Sequence, residues 1–409
     1  MSNQLYDSSI FQEIKKQQQE LTSYRRRIHS QPEIDFETSN TVQAIKEFLN
    51  AKNIFSVDTE VSRGSLIAVI DGNRPGPTIA LRADIDALPL QDASTNAWKS
   101  QITERCHACG HDGHQTWLLA AADYLHSHND FPGRVVCIFQ AAEESVSGAK
   151  SVVESGIFQK YDIQEVYGAH NEPFLDLGSI GFKIGALMAS ADYFKISLFG
   201  KGTHGARPHL GIDTFPAVTE IYQALQTIVS RNVDPLESIV LSVCSVVSGN
   251  GTSYNIIPAK SEMVGTVRTF SPAVRDFAEK RLHEIVKGIS YAHNLDFEVS
   301  YNRLTGPVIN DKECTEFAVK TAEELLGKEN VLPALSPTMI SEDFSEYEEV
   351  VPGTMFLIGV RDKEHTQPLH HPSYDFNDKV IPLAAAFFIE LTVKRLAYLA
   401  TKEDKTGRN

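Results

Sequence analysis

The distribution of apolar residues along the first half of the chain predicts alternating helices and strands. Residues 38–51 carry apolar side chains at the helical period. Four of these side chains fall on one face: Val42, Ile45, Phe48 and Leu49. Short runs such as residues 134–139 are almost wholly apolar, which is typical of buried strands. The alternation of the two patterns indicates an α/β layer with its site at the ends of the strands.

The same patterns place the individual elements of this first region. They predict helices at residues 8–29, 38–51 and 117–126 and strands at residues 65–70, 78–81, 134–139 and 166–168. The strand at residues 78–81 stops at Arg82-Ala-Asp-Ile-Asp86. A buried strand that delivers polar groups at its carboxyl end has this form, so we expect functional side chains there.

The pattern changes near residue 189, where residues 192–199 alternate as a half-buried strand does. The following elements are predicted as a helix at 214–230, strands at 238–248 and 261–270, a helix at 272–289 and a strand at 296–301. This β-α-β-β-α-β order is the ferredoxin-like arrangement. A helix at residues 311–326 and a strand at residues 354–360 then return to the first pattern. We therefore predict a larger domain formed by residues 1–189 and 304–409, into which a smaller domain at residues 190–303 is inserted.

Length and composition are consistent with two soluble domains. The chain has 409 residues and a formal charge of −15, from 38 Lys and Arg against 53 Asp and Glu. This negative charge argues against nucleic acid and anionic membranes as partners. Residues 1–20 lack the apolar core of a secretory signal, and the five cysteines do not resemble a disulfide framework. A reducing, cytoplasmic setting is therefore expected.

Two thiols, three imidazoles and one carboxylate lie together in Cys-His-Ala-Cys-Gly-His-Asp-Gly-His at residues 106–114. Thiolate and imidazole are ligands that zinc and related divalent metals prefer. Cys109 and His111 lie two apart, so in an extended loop they could face one metal, with Cys106 as a bystander. A structural zinc knuckle would require a second Cys pair, and a redox motif would require a thioredoxin-like start; neither is present. A catalytic metal site is favoured, and a structural metal or no metal remain as alternatives.

Adjacent carboxylates follow one predicted strand, at Glu143 and Glu144. Paired acids often form a solvated surface, but here one could bind a metal while the other accepts a proton from water. His170 and His370 each follow an apolar run, which predicts loops that open on the same edge of the sheet. An isolated histidine is by default a core or surface residue, so their assignment depends on further comparison.

Several motifs occur along the chain in a fixed order. They are Arg82-Ala-Asp-Ile-Asp-Ala-Leu-Pro89, His107-Ala-Cys-Gly-His-Asp-Gly-His114, Gln140-Ala-Ala-Glu-Glu144, Gly168-Ala-His170, Gly200-Lys-Gly-Thr-His-Gly-Ala-Arg-Pro-His209, Asn255-Ile-Ile-Pro258, Gly265-Thr-Val-Arg268, Ser341-Glu-Asp-Phe344 and Pro368-Leu-His370. Together they resemble the metal-dependent aminoacylase/carboxypeptidase family of amidohydrolases. The resemblance covers about residues 20–395. Within the family the chain is most similar to the branch of hippurate hydrolases, indole-acetyl-amino-acid hydrolases, aminobenzoyl-glutamate hydrolase subunits and N-acetyl-amino-acid deacetylases.

The resemblance implies a zinc-exopeptidase-like larger domain, with a mixed sheet flanked by helices, that holds two divalent metal ions. Manganese, zinc, cobalt and nickel all suit such ligands. The implied ligands are Cys109, His111, Glu144, His170 and His370, with Cys109 near both ions. Glu143 would be the general base. Asp84 would support the site, Asp112 and His114 would have supporting or structural roles, and His371 offers an adjacent alternative to His370.

The smaller domain resembles the family's lid and dimerisation domain, which implies a homodimer. His204 would reach a neighbouring active site and polarise the scissile carbonyl. Asn255 would bind the oxyanion or substrate, and Arg268 could pair with the substrate's carboxylate. The corresponding structural interpretations are a surface histidine, a turn asparagine and a strand arginine in a salt bridge. Thr203, Cys106 and residues 98–105 depart from the branch's pattern, which bears on substrate preference.

The predicted activity is hydrolysis of the amide bond of N-acyl amino acids, such as N-acetyl or N-benzoyl amino acids, to a carboxylate and an amino acid. One alternative is a dipeptidase or carboxypeptidase acting on peptides with a free amine, for which no amine-binding acid stands out. A second alternative is a non-catalytic metal-binding protein on the same scaffold. The retained ligands and Glu143 favour the enzyme.

Overall fold

The structure, a computed structural model, describes residues 8–406. These residues form two compact units. The larger unit contains the described residues up to Gly185, Ile309–Ser336 and the residues from Asp343 onward. The smaller unit contains Ala186–Val308 and also Pro337–Glu342, a segment that the sequence analysis assigned to the larger domain.

Helices and strands are numbered in chain order across both units. The helices are α1 (Ser9–Lys16), α2 (Gln18–Ser30), α3 (Ser39–Ala51), α4 (His111–Ser127), α5 (Gly148–Glu154), α6 (Ile157–Lys160), α7 (Thr214–Thr227), α8 (Pro272–Ala292), α9 (Lys312–Leu326), α10 (Ser345–Glu348) and α11 (Ile381–Thr406). The strands are β1 (Val57–Asp58), β2 (Leu66–Asp71), β3 (Arg74–Asp84), β4 (Pro132–Gln140), β5 (Ile163–Asp176), β6 (Ile180–Gly181), β7 (Gly185–Met188), β8 (Ala191–Phe199), β9 (Thr203–His204), β10 (Ile239–Ser248), β11 (Ile256–Ile257), β12 (Lys260–Thr269), β13 (Asp296–Thr305), β14 (Val308–Asn310), β15 (Val331–Leu332) and β16 (Gly353–Arg361). Short 3₁₀ turns lie at Pro208–Leu210, Lys328–Asn330 and Asp378–Val380, and a π-helical turn lies at Ile228–Asn232.

An eight-stranded mixed sheet with the order β1-β2-β4-β3-β5-β16-β6-β15 forms the centre of the larger unit. Strands β4, β3, β5 and β16 are parallel neighbours, whereas β2 runs antiparallel to β4. Because parallel strands end at the same edge of a sheet, the polar residues after β3 and β4 come together there. The predicted fold class, an α/β protein with a mixed sheet flanked by helices, is confirmed.

Helix α4 is buried almost all round, which fixes the position of its first residue. Trp117, Leu118, Leu119 and Leu125 each have no exposed surface. Burial of each such side chain contributes roughly 1.5–3 kcal/mol, so the helix is held firmly in the core. Helix α4 also contacts β3 and α11. The site residue that begins α4 is therefore placed on a rigid element.

Helix α11 corresponds to the longest apolar run of the sequence. Its first half is buried, with Ala384, Phe387 and Phe388 in the core. Farther along, Arg395 Nη2 forms a buried ion pair of 2.6 Å with Glu165 Oε1 on β5. Among residues 8–406, no helix combines the length and the apolar character that a membrane crossing requires.

The smaller unit has an antiparallel four-stranded sheet with the order β10-β12-β8-β13. The chain order β8-α7-β10-β12-α8-β13 is the predicted β-α-β-β-α-β order. Strand β8 alternates as predicted, with Phe194, Ile196 and Leu198 buried. These side chains share a core with residues of the two helices, such as Ile221 on α7 and Leu282 on α8.

Four predicted boundaries in the larger unit were wrong. The helix expected at residues 8–29 is two helices that meet at Gln17, and the one expected at residues 117–126 begins at His111. The strand expected at residues 166–168 spans Ile163–Asp176, and the one expected at residues 78–81 extends to Asp84. In three of these cases the missed part carries buried polar residues, which apolar periodicity does not detect.

Candidate metal centre and active site

The five predicted ligands lie together in the larger unit and form two groups of three. One group contains Cys109, His111 and His170, and the other contains Cys109, Glu144 and His370. Within each group the donor atoms lie within 4.8 Å of one another. The two groups share the Cys109 sulfur, so the chain offers two neighbouring metal positions joined by one thiolate.

Interatomic distances test whether these donors fit metal ions. Cys109 Sγ lies 3.4 Å from His170 Nε2 and 3.3 Å from His370 Nε2. In a tetrahedral site with metal–sulfur bonds of about 2.3 Å and metal–nitrogen bonds of about 2.0 Å, sulfur and nitrogen ligands lie about 3.5 Å apart. The observed separations match that value, and the donors are among those preferred by zinc and its neighbours.

Two buried atoms in the site support the same interpretation. His111 Nε2 and Glu144 Oε1 are buried and have no hydrogen-bond partner among the described residues. Buried polar atoms normally have a hydrogen-bond partner, so two buried atoms without one in the same site indicate that the site binds a further group. Burial and then the nearby charges of Glu144 and Glu143 raise the pKa of the Cys109 thiol well above its usual value. A cation at the site would reverse that effect and favour the thiolate.

The turn that carries Cys109 and His111 depends on a glycine. Gly110 between them has φ +91°, in the left-handed region that side chains disfavour. A Cβ there would also lie 2.3 Å from Asn171 Oδ1. His111 is the first residue of α4 rather than part of an extended loop, so the expected loop geometry is wrong. The turn still brings Cys109 and His111 into one donor group.

The orientation of His111 is set by Asp86. The backbone carbonyl of Asp86 accepts a hydrogen bond of 2.9 Å from His111 Nδ1, which leaves Nε2 facing the donor groups. Burial alone would lower the pKa of His111, but the carboxylates of Asp84, Asp86 and Glu144 raise it to about 10. A metal ion would replace the proton that this acidic surrounding attracts.

Glu143 and Glu144 follow strand β4 in a tight turn. Ala142 before them has φ +58°, a strained value for a residue other than glycine, and such strain often marks functional sites. The Asp86 carboxylate accepts the backbone N–H groups of Glu143 and Glu144, both at 3.1 Å. Glu144 Oε1 lies 3.6 Å from His370 Nε2, and Glu143 Oε2 lies 3.9 Å from His111 Nε2. Burial raises the pKa of Glu144 to about 7.

His170 and His370 reach the site from different kinds of backbone. His170 lies within strand β5, opposite Leu357 of β16, and not in a loop after the strand as expected. Its Nδ1 donates to the Asn171 carbonyl at 2.8 Å, which directs Nε2 to Cys109. His370 lies in the segment between β16 and α11 with φ +60°, and its N–H donates to Ala108 O at 2.8 Å. Burial lowers the pKa of both histidines, which favours the neutral ligand form.

Asp84 lies directly behind the ligands. Its Oδ1 lies 2.5 Å from His114 Nδ1 and 3.7 Å from His111 Nε2. Its Oδ2 accepts a hydrogen bond of 2.7 Å from Arg82 Nη1. Burial alone would raise the pKa of Asp84, but His111, His114 and Arg82 hold it well below its usual value. His114 also contacts the Asn171 side chain through Nε2. Groups of this kind fix the orientation of metal ligands.

Asp112 and Cys106 lie on another side of the motif. Asp112 accepts hydrogen bonds from Arg25 Nη1 at 3.2 Å and from His29 Nδ1 at 2.8 Å, so it pairs with helix α2 and belongs to neither donor group. Cys106 is fully buried beside His29 and also lies outside both groups.

Asp86 and Asn171 were given no specific role from the sequence, although Asp86 ends a segment where functional side chains were expected. Asp86 binds three site residues at once, and Asn171 contacts His114 and Tyr374. Asp86 could have been found, because residues two apart after a buried strand share one side, as Arg82 and Asp84 do. Asn171 follows His170 within the strand and gives no distinctive signal.

The three residues predicted for substrate contact lie in the smaller unit. His204 is exposed, pairs with Ile256, and accepts a hydrogen bond at Nδ1 from Ala206 N at 3.0 Å. Asn255 is adjacent, since its carbonyl accepts the Gly205 N–H at 2.7 Å. Both side chains are therefore accessible within their own unit.

Arg268 is half-buried on β12 and is held by neutral groups. Its guanidinium donates to the Thr266 hydroxyl and lies 5.7 Å from the ring centre of Tyr193. Within the described part of the chain it forms no ion pair. The salt-bridge interpretation from the sequence is therefore not supported, and the charge stays available for a carboxylate ligand.

Replacing His370 and His371 separately should distinguish the two adjacent histidines. His370 Nε2 faces Cys109 and Glu144, whereas His371 Nδ1 accepts the Ser373 N–H at 3.1 Å. We expect His370→Ala to lower the metal affinity of the group formed by Cys109, Glu144 and His370, and with it kcat, by more than about 100-fold, since loss of supporting residues alone costs 10- to 100-fold in affinity or activity. The matched His371→Ala variant should keep its metal, as measured by elemental analysis. Loss of metal only in His371→Ala would reverse the assignment.

Comparison with known proteins identifies the family of the chain. Residues 80–394 match the model of peptidase family M20/M25/M40. The chain is 36% identical to hippurate hydrolase of Campylobacter jejuni over 95% of this chain and 100% of that protein. It is 38% identical to an N-acetyl-L-cysteine deacetylase of Bacillus subtilis over 93% of this chain and 88% of that protein. The crystal structure of the Bacillus subtilis YXEP protein, a dinuclear metal-binding peptidase, matches with a TM-score of 0.82 and 32% identity, covering 93% of this chain and 99% of that one. The chain belongs to peptidase family M20/M25/M40.

Proposed function

We propose that the chain is a metal-dependent amidohydrolase that cleaves the amide bond of N-acyl amino acids to a carboxylate and a free amino acid. The observation that carries the proposal is the pair of donor groups joined at Cys109, with Glu143 directly beside them. The activities named for the hippurate hydrolase and the deacetylase support the substrate class.

In this proposal two divalent ions are held by Cys109, His111 and His170 on one side and by Cys109, Glu144 and His370 on the other. Manganese, zinc, cobalt and nickel all accept this combination of thiolate, imidazole and carboxylate. When bound, such ions polarise a carbonyl group and lower the pKa of water to near neutrality.

Glu143 carries the proton in this proposal. Its carboxylate accepts a proton from the attacking water and later donates it to the nitrogen of the departing amino acid. The Asp86 carboxylate holds the backbone N–H of Glu143, which positions the base on a rigid turn. Asp84 orients His114 through a hydrogen bond and places its negative charge 3.7 Å from His111 Nε2.

His204, Asn255 and Arg268 are proposed to act on the substrate. The Arg268 guanidinium suits the free carboxylate that every N-acyl amino acid carries. We also propose a homodimer in which His204 serves the partner's site.

Mixing of two inactive variants tests the shared site. His204→Ala and Glu143→Ala proteins, each nearly inactive alone, should recover part of the activity when mixed, because one site in the mixed dimer keeps both residues. The measurement is turnover after subunit exchange. An absence of recovery, with exchange demonstrated by a labelled subunit, would reject sharing.

A substrate panel tests the reaction itself. N-acetyl, N-benzoyl and indole-acetyl amino acids are compared with free dipeptides, using protein supplied with manganese or zinc. Turnover restricted to N-acylated substrates supports the proposal. Turnover restricted to dipeptides would favour a peptidase, and no turnover with either metal would favour a non-catalytic metal-binding protein.

The proposed setting is reducing and cytoplasmic. All five cysteines are without disulfide partners, and Cys109 must remain a thiol or thiolate to bind metal. The proposed partners are a small-molecule substrate and a second copy of the chain.

A further inference from the structure

A third group of potential metal ligands lies in the larger unit and shares no residue with the two groups at Cys109. It consists of His29 on α2, Asp92 in the segment of residues 89–105, and Cys106 directly after that segment. The three donor atoms lie within 4.8 Å of one another, and all three residues are buried. We propose that this group binds a further divalent cation of the zinc type, which has a structural role.

The orientation of His29 is that of a metal ligand. Its Nδ1 lies 2.8 Å from Asp112 Oδ2, and that carboxylate is in turn held by Arg25 Nη1 at 3.2 Å. Metal-binding histidines commonly donate their second ring nitrogen to a carboxylate in this way, which fixes the tautomer. His29 Nε2 then faces Asp92 and Cys106 with no hydrogen-bond partner among the described residues.

The separation of the donor atoms also fits a cation. His29 Nε2 lies 3.6 Å from Asp92 Oδ2, which is too long for a normal hydrogen bond. Nitrogen and oxygen ligands of a tetrahedral zinc ion, with bonds of about 2.0 Å, lie about 3.3 Å apart. A small inward shift of the side chains therefore completes the site.

Asp92 is positioned before any ion binds. Its Oδ1 accepts the Ser94 N–H and its Oδ2 accepts the Ser100 N–H, each at 2.8 Å. Cys106 is fixed by backbone pairing with Leu88, in hydrogen bonds of 3.0 and 3.1 Å. Asp92 and Cys106 are thus held in place by backbone hydrogen bonds, so their loop needs little further ordering when an ion binds.

The position of this group explains what the ion would do. Residues 89–105 contain no helix or strand, and loops of this length are uncommon in compact domains. A cation bound by Asp92, Cys106 and His29 would connect both parts of the loop to helix α2. Because Cys109 follows directly, the same link would steady the turn that carries the catalytic ligands.

Binding is balanced in charge and protons. The cation replaces the thiol proton of Cys106 and the Nε2 proton of the His29 imidazolium, and both protons leave to solvent. His29 keeps the Nδ1 proton that it donates to Asp112. No oxidant or reductant takes part. One thiolate, one imidazole and one carboxylate form a donor set suited to zinc.

Cobalt absorption tests the site separately from the catalytic metals. The full-length chain with Cys109→Ser and Cys244→Ser lacks the shared catalytic thiolate and the exposed thiol. Titration of this protein with Co²⁺ should give a near-ultraviolet thiolate-to-cobalt band that saturates at one equivalent. A further Cys106→Ala change should remove the band, and the matched Cys137→Ala change should not. Absence of the band in the first protein would overturn the proposal, and His29 would then be an imidazolium between two aspartates.

A second variant keeps the test decisive if Cys106→Ala does not fold. Asp92→Asn keeps the size of the side chain and an acceptor for one of the two backbone N–H groups but is a weaker ligand, so it should reduce cobalt affinity at least tenfold. In the chain with all its cysteines, zinc analysis should give three ions per chain, and two after Cys106→Ala or Asp92→Asn. An unchanged count in the folded variants would also overturn the proposal, whatever becomes of the catalytic metals.

Discussion

Glu143→Gln should lower kcat for N-acyl amino acids by about 10²- to 10⁴-fold, the range that loss of general acid–base catalysis produces. The expected loss equals about 3–5 kcal/mol of transition-state stabilisation. Glutamine keeps the shape of the side chain and can still contact water, but it cannot accept the proton. Steady-state kinetics on the metal-loaded variant measure the effect.

Metal content separates this result from damage to the site. Glu143 belongs to neither donor group that contains Cys109, so the variant should bind as much metal as the unmodified protein. Glu154→Gln, an exposed change on helix α5, is the matched control and should leave kcat unchanged. A Glu143→Gln protein with full metal and full activity would remove Glu143 from the mechanism.

Cys109→Ser should abolish measurable turnover, because this sulfur belongs to both donor groups. Loss of a residue that merely supports a ligand weakens metal binding 10- to 100-fold, so loss of a shared ligand should cost more than about 100-fold at both positions. We expect the two catalytic ions to be lost on dialysis, as measured by elemental analysis alongside activity.

Cys137→Ser is the matched control for this change. Cys137 is also fully buried, but it lies on strand β4 and faces the hydrophobic core. Substitution there should reduce stability and leave metal content and kcat nearly unchanged. Retention of both catalytic ions by Cys109→Ser would contradict a shared thiolate.

The sequence predicted which residues form the site more accurately than it predicted the helices and strands that carry them. Cys109, His111 and Glu144 were recognisable because strand ends and dense ligand motifs are local features. His170 was expected in a loop but lies within β5, since a buried histidine interrupts the apolar run that marks a strand.

Roles that depend on tertiary contacts could not be predicted. The Asp86 carboxylate accepts two backbone N–H groups, and its backbone carbonyl accepts a hydrogen bond from His111. His29 comes close to Cys106 only because α2 packs beside the loop at residues 89–105. Neither contact leaves a periodic trace in the sequence. Cys106 was accordingly interpreted as a bystander, although it completes a third buried donor group.

Activity of metal-stripped protein tests the central claim most directly. The chain is freed of metal with a chelator, shown by elemental analysis to be metal-free, and assayed with N-acetyl and N-benzoyl amino acids before and after addition of manganese or zinc. The proposed mechanism predicts no turnover without metal and recovery on its return. Full turnover by protein shown to contain no metal would contradict it.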